Sequence, residues 1–577
     1  MRSLQLAVLL ALMFSTSSAY AQTQTTGEIT GVVTDPSGAA VAKAQVVLKD
    51  LAKGSTATTE TNRDGVYHFQ LLPPSNYTVS ITSTGFEGVT RTLTVALGQV
   101  TTGNVQLPIG SSSTTVTVEA GNEPLLQTEN GNVATTFDQQ QLSAIPNPGN
   151  DLTAFVQTAP GVVMNTAGGL GNFSDHGVGA ASNLFTLDGA DDNDPFLNLN
   201  NSGATNLLLG ANEIQESTIV SSGYSGEYGS LAGASVNYVT KSGSNEFHGN
   251  AIYYWNGSAL NANDWFLNHA GDPKNFSNAN QWAGSLGGPI KKDKLFFFFN
   301  TEGLRVIIPV STAVAFPSQA FQNATIANLE NNDGFPATSA TVKFYQNLFS
   351  LYNNANGAAK AVPGAGPLST DPLGCNGFTG LGPGVACSSF FQAADNNLTT
   401  EQQFSGRVDF NATANDRIFL RLLYDHGVQA ADTDPISPLF NITSNQPEWQ
   451  GQLNETHTFG ATAVNQFILS GSWYSAVFNN SDRTATLAAF PTTIFFGNAN
   501  IPWFNIGGAA AGGAGDAFFP QGRNVTQYQI GDDFSKTLGN HTLKFGTKFR
   551  RYDVSDQDFG VFTSGFVTPN SVAAFFN

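Results

Sequence analysis

At 577 residues the chain is longer than one ordinary core, so several domains are expected. A net charge of −19 argues against a nucleic-acid partner, and no stretch past the N-terminus reaches the ~18 apolar residues of a spanning helix. Only 12% of residues are charged, yet there are 44 Phe and 60 Gly, a pairing that suits lipid-facing strands, tight turns and close strand approach.

The N-terminus carries Arg2, an apolar run from Leu4 to Phe14 and the small-x-small triplet Ala19-Tyr20-Ala21. This is the pattern of a secretory signal peptide at residues 1–21, cleaved between Ala21 and Gln22. Residues 27–108 read as a self-contained β unit. GEITGVVTDPSG gives a strand and a turn, AQVVLKD a second strand, and alternating runs follow around Tyr67/Phe69 and Tyr77/Val79/Ile81. Strands at this spacing, punctuated by Asp-Pro, Asp-Gly and Pro-Pro, predict a small sandwich. Residues 109–120 form a polar linker. Its extended run Thr114, Thr115, Val116, Thr117, Val118 suits strand addition to a partner's sheet edge, or equally the first strand of the next domain.

Residues 121–243 are rich in Asn, Gly and Ser and lack long amphipathic helices. Short helical pieces are predicted at Gln139–Leu142 and Leu152–Gln157, and Phe185–Gly189 reads as a strand entering a turn. Asp188, Asp191, Asp192 and Asp194 crowd the loop that follows and raise a calcium hypothesis. Leu199 stands where an EF-hand needs its bidentate Glu, so a solvated polar loop is expected instead.

The stretch Glu213–Trp255 reads as the seam at which a compact plug is expected to give way to the first strand of a membrane barrel. From Glu246 the pattern alternates, with Phe247, Ala251, Tyr253 and Trp255 opposite His248, Asn250 and Tyr254. Further strands are predicted at Gln402–Phe410, Ile418–Tyr424, Trp449–Thr458, Phe467–Phe478, Gln527–Leu538 and His541–Tyr552. Short turns join them in pairs. The stretches Pro309–Thr400 and Asn479–Asn524 are expected to be long loops, and this inequality is the signature of an outer-membrane barrel. Tyr253, Tyr254, Trp255, Trp282, Trp449, Trp473 and Tyr474 fit interfacial girdles. Cys375 and Cys387 share one Gly/Pro-rich segment; an oxidising compartment allows a local disulfide, the alternative being two unpaired thiols.

Two resemblances attach to these residues. Gly31-Val32-Val33 with Asp35 and Gly38, Asn62 through Tyr67, and Tyr77-Thr78-Val79 before Gly85-Phe86 resemble the carboxypeptidase regulatory-like domain, a transthyretin-like sandwich of carbohydrate-binding-like fold. That resemblance implies an accessory in the periplasm, read as a spacer in preference to a glycan- or partner-contacting module. The rest is similar to acidobacterial TonB-dependent receptors of the Oar-like type. The matching segments are Gln141–Pro146 with Ala159–Val162; Leu187, Asp188 and Gly189 with Asn193-Asp194; Tyr224–Gly229, holding Tyr228 and Gly229; Val239–Gly249, holding Thr240, Lys241, Ser242 and Gly243; and Gly287–Phe298.

The resemblance implies a mainly β protein in the outer membrane: a sandwich, a plug over 121–243 and an antiparallel barrel over 244–577. It further implies import of a large or scarce solute, driven by the TonB–ExbB–ExbD complex through a TonB box near Thr114–Val118. Such barrels have about 22 strands of ~9–11 residues. About nine are convincing after Glu246, so the expectation is an incomplete barrel lacking its C-terminal half.

No HExxH, HxxE, GxSxG or P-loop pattern occurs and the seven His are scattered, so no enzyme, cofactor or metal site is assigned. A surface adhesin or carbohydrate-binding protein is the other alternative; recurring lipid-facing alternation favours the barrel. Loops rich in Asn, Tyr and Trp suit a glycan, and peptides and metal chelates are equally allowed.

Overall fold

The computed structural model describes residues 25–110, 115–118, 131–145, 151–164, 172–200, 203–222, 232–263, 265–270, 274–355, 357–363, 380–381, 385–460, 462–489, 493–495, 511–513, 519–539, 541–558 and 566–567.

The first unit is a sandwich of β1 (Gly27–Thr34), β2 (Gln45–Asp50), β3 (Thr56–Glu60), β4 (Val66–Leu72), β5 (Ser75–Thr82), β6 (Gly88–Val95), β7 (Val100–Thr102) and β8 (Val105–Gln106). In β1 buried and half-buried residues alternate, so Ile29 and Val33 enter a core with Val46, Leu48, Tyr67, Val79 and Ile81. The Asn62–Tyr67 motif has a mechanical reason. The Asn62 side chain accepts from the Asp64 and Val66 amides, and Gly65 supplies the positive φ that closes the turn into β4.

The linker run resolves differently from one of its two expectations. β9 (Thr115–Val118) does not begin the next domain. It lies parallel to β6, with Gly88 opposite Thr115 and Arg91 opposite Val118, as the outermost strand of the sheet β3-β2-β5-β6-β9. Thr114 lies outside the described residues, as do Ala21 and Gln22 of the expected cleavage site.

An inner sheet follows, from β10 (Val133–Phe137), β11 (Leu184–Leu187), β12 (Ala190–Asp191), β13 (Ile214–Ser222) and β14 (Ser235–Thr240), in the order β10-β13-β14-β11-β12. The helix α1 (Gln139–Ala144) begins where expected, held by a capping box between Asp138 and Gln141. A 3-10 turn at Ala154–Thr158 replaces the second predicted helix. All six residues of β14 are buried, which explains why the sequence shows no two-faced alternation there.

Apart from a two-residue strand at Val362–Pro363, the large sheet comprises β15 (His248–Gly257), β16 (Asn278–Lys291), β17 (Leu295–Pro317), β18 (Ser388–Asn411), β19 (Asp416–Asp432), β20 (Ile442–Asn445), β21 (Glu448–Thr458), β22 (Ala463–Asn480), β23 (Gln521–Leu538) and β24 (His541–Asp558). All neighbours are antiparallel. β20 and β21 share the place between β19 and β22, separated at Gln446-Pro447, where proline offers no N–H to the ladder.

Polarity across this sheet is inverted relative to a water-soluble protein. Gln403, Ser405, Asp409, Gln452, Asn454, Gln527, Gln529 and Asp533 are buried, whereas Val408, Phe410, Leu420, Leu422, Tyr528, Ile530 and Phe545 are exposed. A wall with apolar side chains outside and polar ones inside is what hydrocarbon on one face selects. Tyr253, Tyr254, Trp255, Trp449 and Trp473 join the exposed set. Tyr474 is a correction: it turns inward, its hydroxyl against Asp194 and Arg523.

The expected loop Pro309–Thr400 is corrected in three places. β17 and β18 remain paired as far as Pro317 and Ser388. Beyond them, α2 (Gln319–Asn331) and α3 (Ala340–Asn353) pack Phe321, Leu348, Phe349 and Tyr352 against Phe316, Phe390 and Phe391. Ser318 and Ser339 cap the two helices through the Phe321 and Val342 amides, signals present in the sequence but weak amid so much Asn and Ala. Within Asn479–Asn524, a helix at Arg483–Ala489 and the start of β23 replace loop.

The sandwich does not stand apart from the rest of the chain. It docks on the short-turn end of the large sheet: the Asn245 amide donates to the Ala52 carbonyl at 2.9 Å, Gln70 to Thr537 at 3.0 Å, and Arg417 to the Leu71 carbonyl at 3.0 Å.

Candidate functional site

The inner sheet meets the wall through charges. Asp188 has φ 48, a left-handed conformation that short polar side chains tolerate best, and Gly189 follows at φ 86. The turn sends the Asp188 carboxylate back to the end of β14, where it accepts from the Thr240 amide at 3.0 Å and hydroxyl at 2.7 Å. Its carbonyl accepts from Gln452 and Asn454 of the wall. Leu187 anchors the turn in the inner core, and Lys548 donates to the Gly189 carbonyl. The expected Leu187-Asp188-Gly189 segment is therefore a buried hinge of hydrogen bonds between inner sheet and wall.

From Asp188 a chain of ion pairs crosses the molecule. Arg407 of β18 lies 3.3 Å from Asp188 and 3.0 Å from Asp409, and Asp409 is 3.0 Å from Lys53 of the sandwich. The Arg407 guanidinium also lies 3.8 Å from the Phe419 ring centroid. Four charged side chains thus connect inner sheet, wall and sandwich.

The aspartate-rich loop neither collects a cation nor lies in solvent, which corrects both readings offered for it. Its carboxylates diverge: Asp191 pairs with Arg550, and Asp194 with Arg523 at 2.7 Å. Asp192 accepts from Gln450. Nearby, Glu213 meets Arg421 at 2.6 Å, with side-chain exposures of 4% and 2%, and also accepts from Ser405. Burial on this scale requires pairing, because an isolated charge away from water is costly. Arg407, Arg421, Arg523 and Arg550 come from β18, β19, β23 and β24, while the acids come from the inner region. Glu302 and Glu401 of the wall complete the contact, accepting backbone amides of Gly210, Asn212 and Thr205.

Nothing local announces these pairs, since Arg407 and Asp188 stand 219 residues apart and Arg421 and Glu213 stand 208 apart. Among the described residues one grouping has metal-ligand side chains close together, Asp416, Glu455 and His457, and it lies away from this loop.

At the seam, Lys241 donates to the Asn212 carbonyl at 2.8 Å. Ser242 leads to Gly243, where a Cβ would stand 2.3 Å from the Phe297 carbonyl oxygen and 2.7 Å from that of Gly288. Backbone on both sides demands glycine there. Tyr228 and Gly229 lie outside the described residues. Cys387 is disulfide-bonded and buried; Cys375, the other cysteine of the chain, lies outside them.

Two carboxyls at the sandwich boundary titrate abnormally. Burial opposes ionisation of Glu28, but His68 at 2.7 Å and Lys544 at 2.8 Å prevail and hold its pKa down at about 2. Glu216 of β13 accepts the Leu97 amide at 2.9 Å; burial pushes it up to about 7, and Asp138 adds to the rise.

With that geometry in view, the similarities fall into place. The outer membrane beta barrel domain family matches residues 239–575, and the carboxypeptidase regulatory-like domain matches residues 28–108. The TonB-dependent transporter Oar of Myxococcus xanthus is 28% identical over 297 residues, which cover 49% of this chain and 27% of that protein. Among solved structures, the outer membrane transporter YddB from Escherichia coli aligns at 14% identity and TM-score 0.46, covering 73% of this chain and 48% of its own. The siderophore receptor PirA from Acinetobacter baumannii aligns at 12% and TM-score 0.41, covering 74% and 48%. The chain thus spans about half the length of these structures, and less of the curated relative.

Proposed function

We propose, from the premise that this chain belongs to the outer membrane beta barrel domain family and resides in the outer membrane, that it serves TonB-dependent uptake of a large or scarce solute. The observation that carries the reading is the interface between inner sheet and wall. Arginines from four strands hold carboxylates of the inner region, and hydrogen bonds fill the space between them. A polar interface of this kind can be rewetted when the inner sheet is pulled, whereas an apolar one would have to expose greasy surface. That is the property of a removable plug, here residues 121–243. The large sheet is read as part of the surrounding wall.

In this reading the protein is of the acidobacterial Oar-like type, with the sandwich in the periplasm and TonB–ExbB–ExbD as energy source. Thr114–Val118 serves as the TonB box, and a glycan or peptide is the solute class to screen first. The test is binding of the periplasmic domain of TonB to the purified chain in detergent. Binding is expected, and Val116→Pro, which removes a backbone donor from the strand, is expected to abolish it. Unchanged binding by that variant would move the box elsewhere; no binding by the unaltered chain would overturn TonB coupling.

A further inference from the structure

β9 is an edge strand with one neighbour among the described residues, β6. Each strand of a sheet carries two rows of backbone donors and acceptors, and β6 occupies one row of β9. Native edges are normally protected by lysine, proline, a bulge or a covering segment. Thr115-Val116-Thr117-Val118 contains neither residue, and its register with β6 runs through four consecutive pairs without a shift. The strand is β-rich in composition, already extended, and open along its outer row among the described residues.

We propose that the sandwich is the scaffold of the coupling site: a strand of the periplasmic energy-transducing protein adds to the outer row of β9 while the inner row stays paired with β6. The proposal rests on the TonB-coupled reading above and assigns the sandwich a part in it. A loose linker would lose the backbone freedom of four residues at the moment of binding; a strand already held by β6 has lost it beforehand, and affinity gains accordingly. The same arrangement determines where a pull is felt. Force applied to β9 reaches the sandwich through the β6–β9 ladder as well as the plug through the chain. The sandwich in turn touches the wall through Lys53 and Asp409, and the inner sheet through the Glu216–Leu97 contact. The recognised surface is therefore composite, one edge of an existing sheet and not an isolated peptide.

Thr90 and Thr117 are register partners across β6 and β9, and neighbouring strands lie about 4.7–4.9 Å apart, within the Cα range that a disulfide spans. The double variant Thr90→Cys with Thr117→Cys, oxidised, pins β9 to β6. The single variants serve as controls for the native disulfide. The probe is the periplasmic domain of TonB, added to the full chain in detergent. The oxidised double variant is expected to bind no more weakly than the unaltered protein. Weakening on oxidation that reduction reverses, in the double variant alone, would show that β9 must leave β6 and would overturn the proposal. Hydrogen exchange gives an independent readout: binding is expected to add protection to β9 and remove none from Gly88–Val95. Loss of protection in Gly88–Val95 overturns the proposal too. If the unaltered chain binds no TonB domain, the failure lies with the coupling reading itself.

Discussion

Among the described residues Arg421 and Glu213 are the most deeply buried ion pair between inner region and wall, with exposures of 2% and 4%. Removing one member leaves the other charged and unpartnered, a loss of about 3–5 kcal/mol for pairs of this kind. Arg421→Ala is therefore expected to lower the unfolding midpoint of the chain in detergent and to loosen β13 and β14 first, as read by hydrogen exchange. Because the pair is buried, raising salt should change little in the unaltered protein. Glu216 sets a pH dependence of opposite sign to a paired acid. Its native pKa of about 7 lies above the unfolded value near 4.5, so its contribution is fully present below pH 4.5 and is lost as pH rises through 7. Glu216→Gln should flatten that decline and gain roughly 1–3 kcal/mol at pH 8, measured as the pH profile of thermal stability.

The α2–α3 hairpin depends on a small apolar cluster of its own, in which Leu348 is 1% exposed. Leu348→Ala creates a cavity and should cost about 2–5 kcal/mol, confined to that element. Hydrogen exchange is expected to show lost protection in residues 319–353 while β19–β24 keep theirs; a uniform loss would mean that the hairpin supports the wall. Strand legibility followed the environment of each strand. β18 and β21 to β24 could be read because lipid and a polar interior face their two sides. β14 showed only as a short β-type run at Ser235–Thr240, without two faces, because both are buried, and α2 and α3 were read as loop, α2 being only weakly two-faced.

The docked sandwich is the feature that changes the picture of the whole molecule. Its contacts with the short-turn end include Glu28–Lys544 at 2.8 Å and Lys53–Asp409 at 3.0 Å. Glu28 has a native pKa of about 2, below its unfolded value. Its stabilisation is thus present above pH 4.5 and is lost as pH falls from 4.5 toward 2. Spin labels at Lys49 and Ala414 should report a narrow distance distribution at pH 5–7 that broadens in acid. Glu28→Gln is expected to broaden it already at neutral pH; an unchanged distribution in both cases would remove Glu28 from the docking contact.

By itself the sequence determined the class of the protein: sandwich first, polar inner region next, then strands whose alternating faces meet lipid and a polar interior. Those properties are local, because side-chain period and turn composition act over a few residues. Even the segments Leu187-Asp188-Gly189 and Thr240–Gly243 were legible as positions, though not in what they do. Tertiary structure alone decided that Asp188, Asp191, Asp194 and Glu213 each find an arginine in the wall, that the sandwich covers the short-turn end, and that Thr115–Val118 lies along β6. Each of these joins residues distant in the chain, and a charge or a strand edge carries no local mark of the partner that satisfies it.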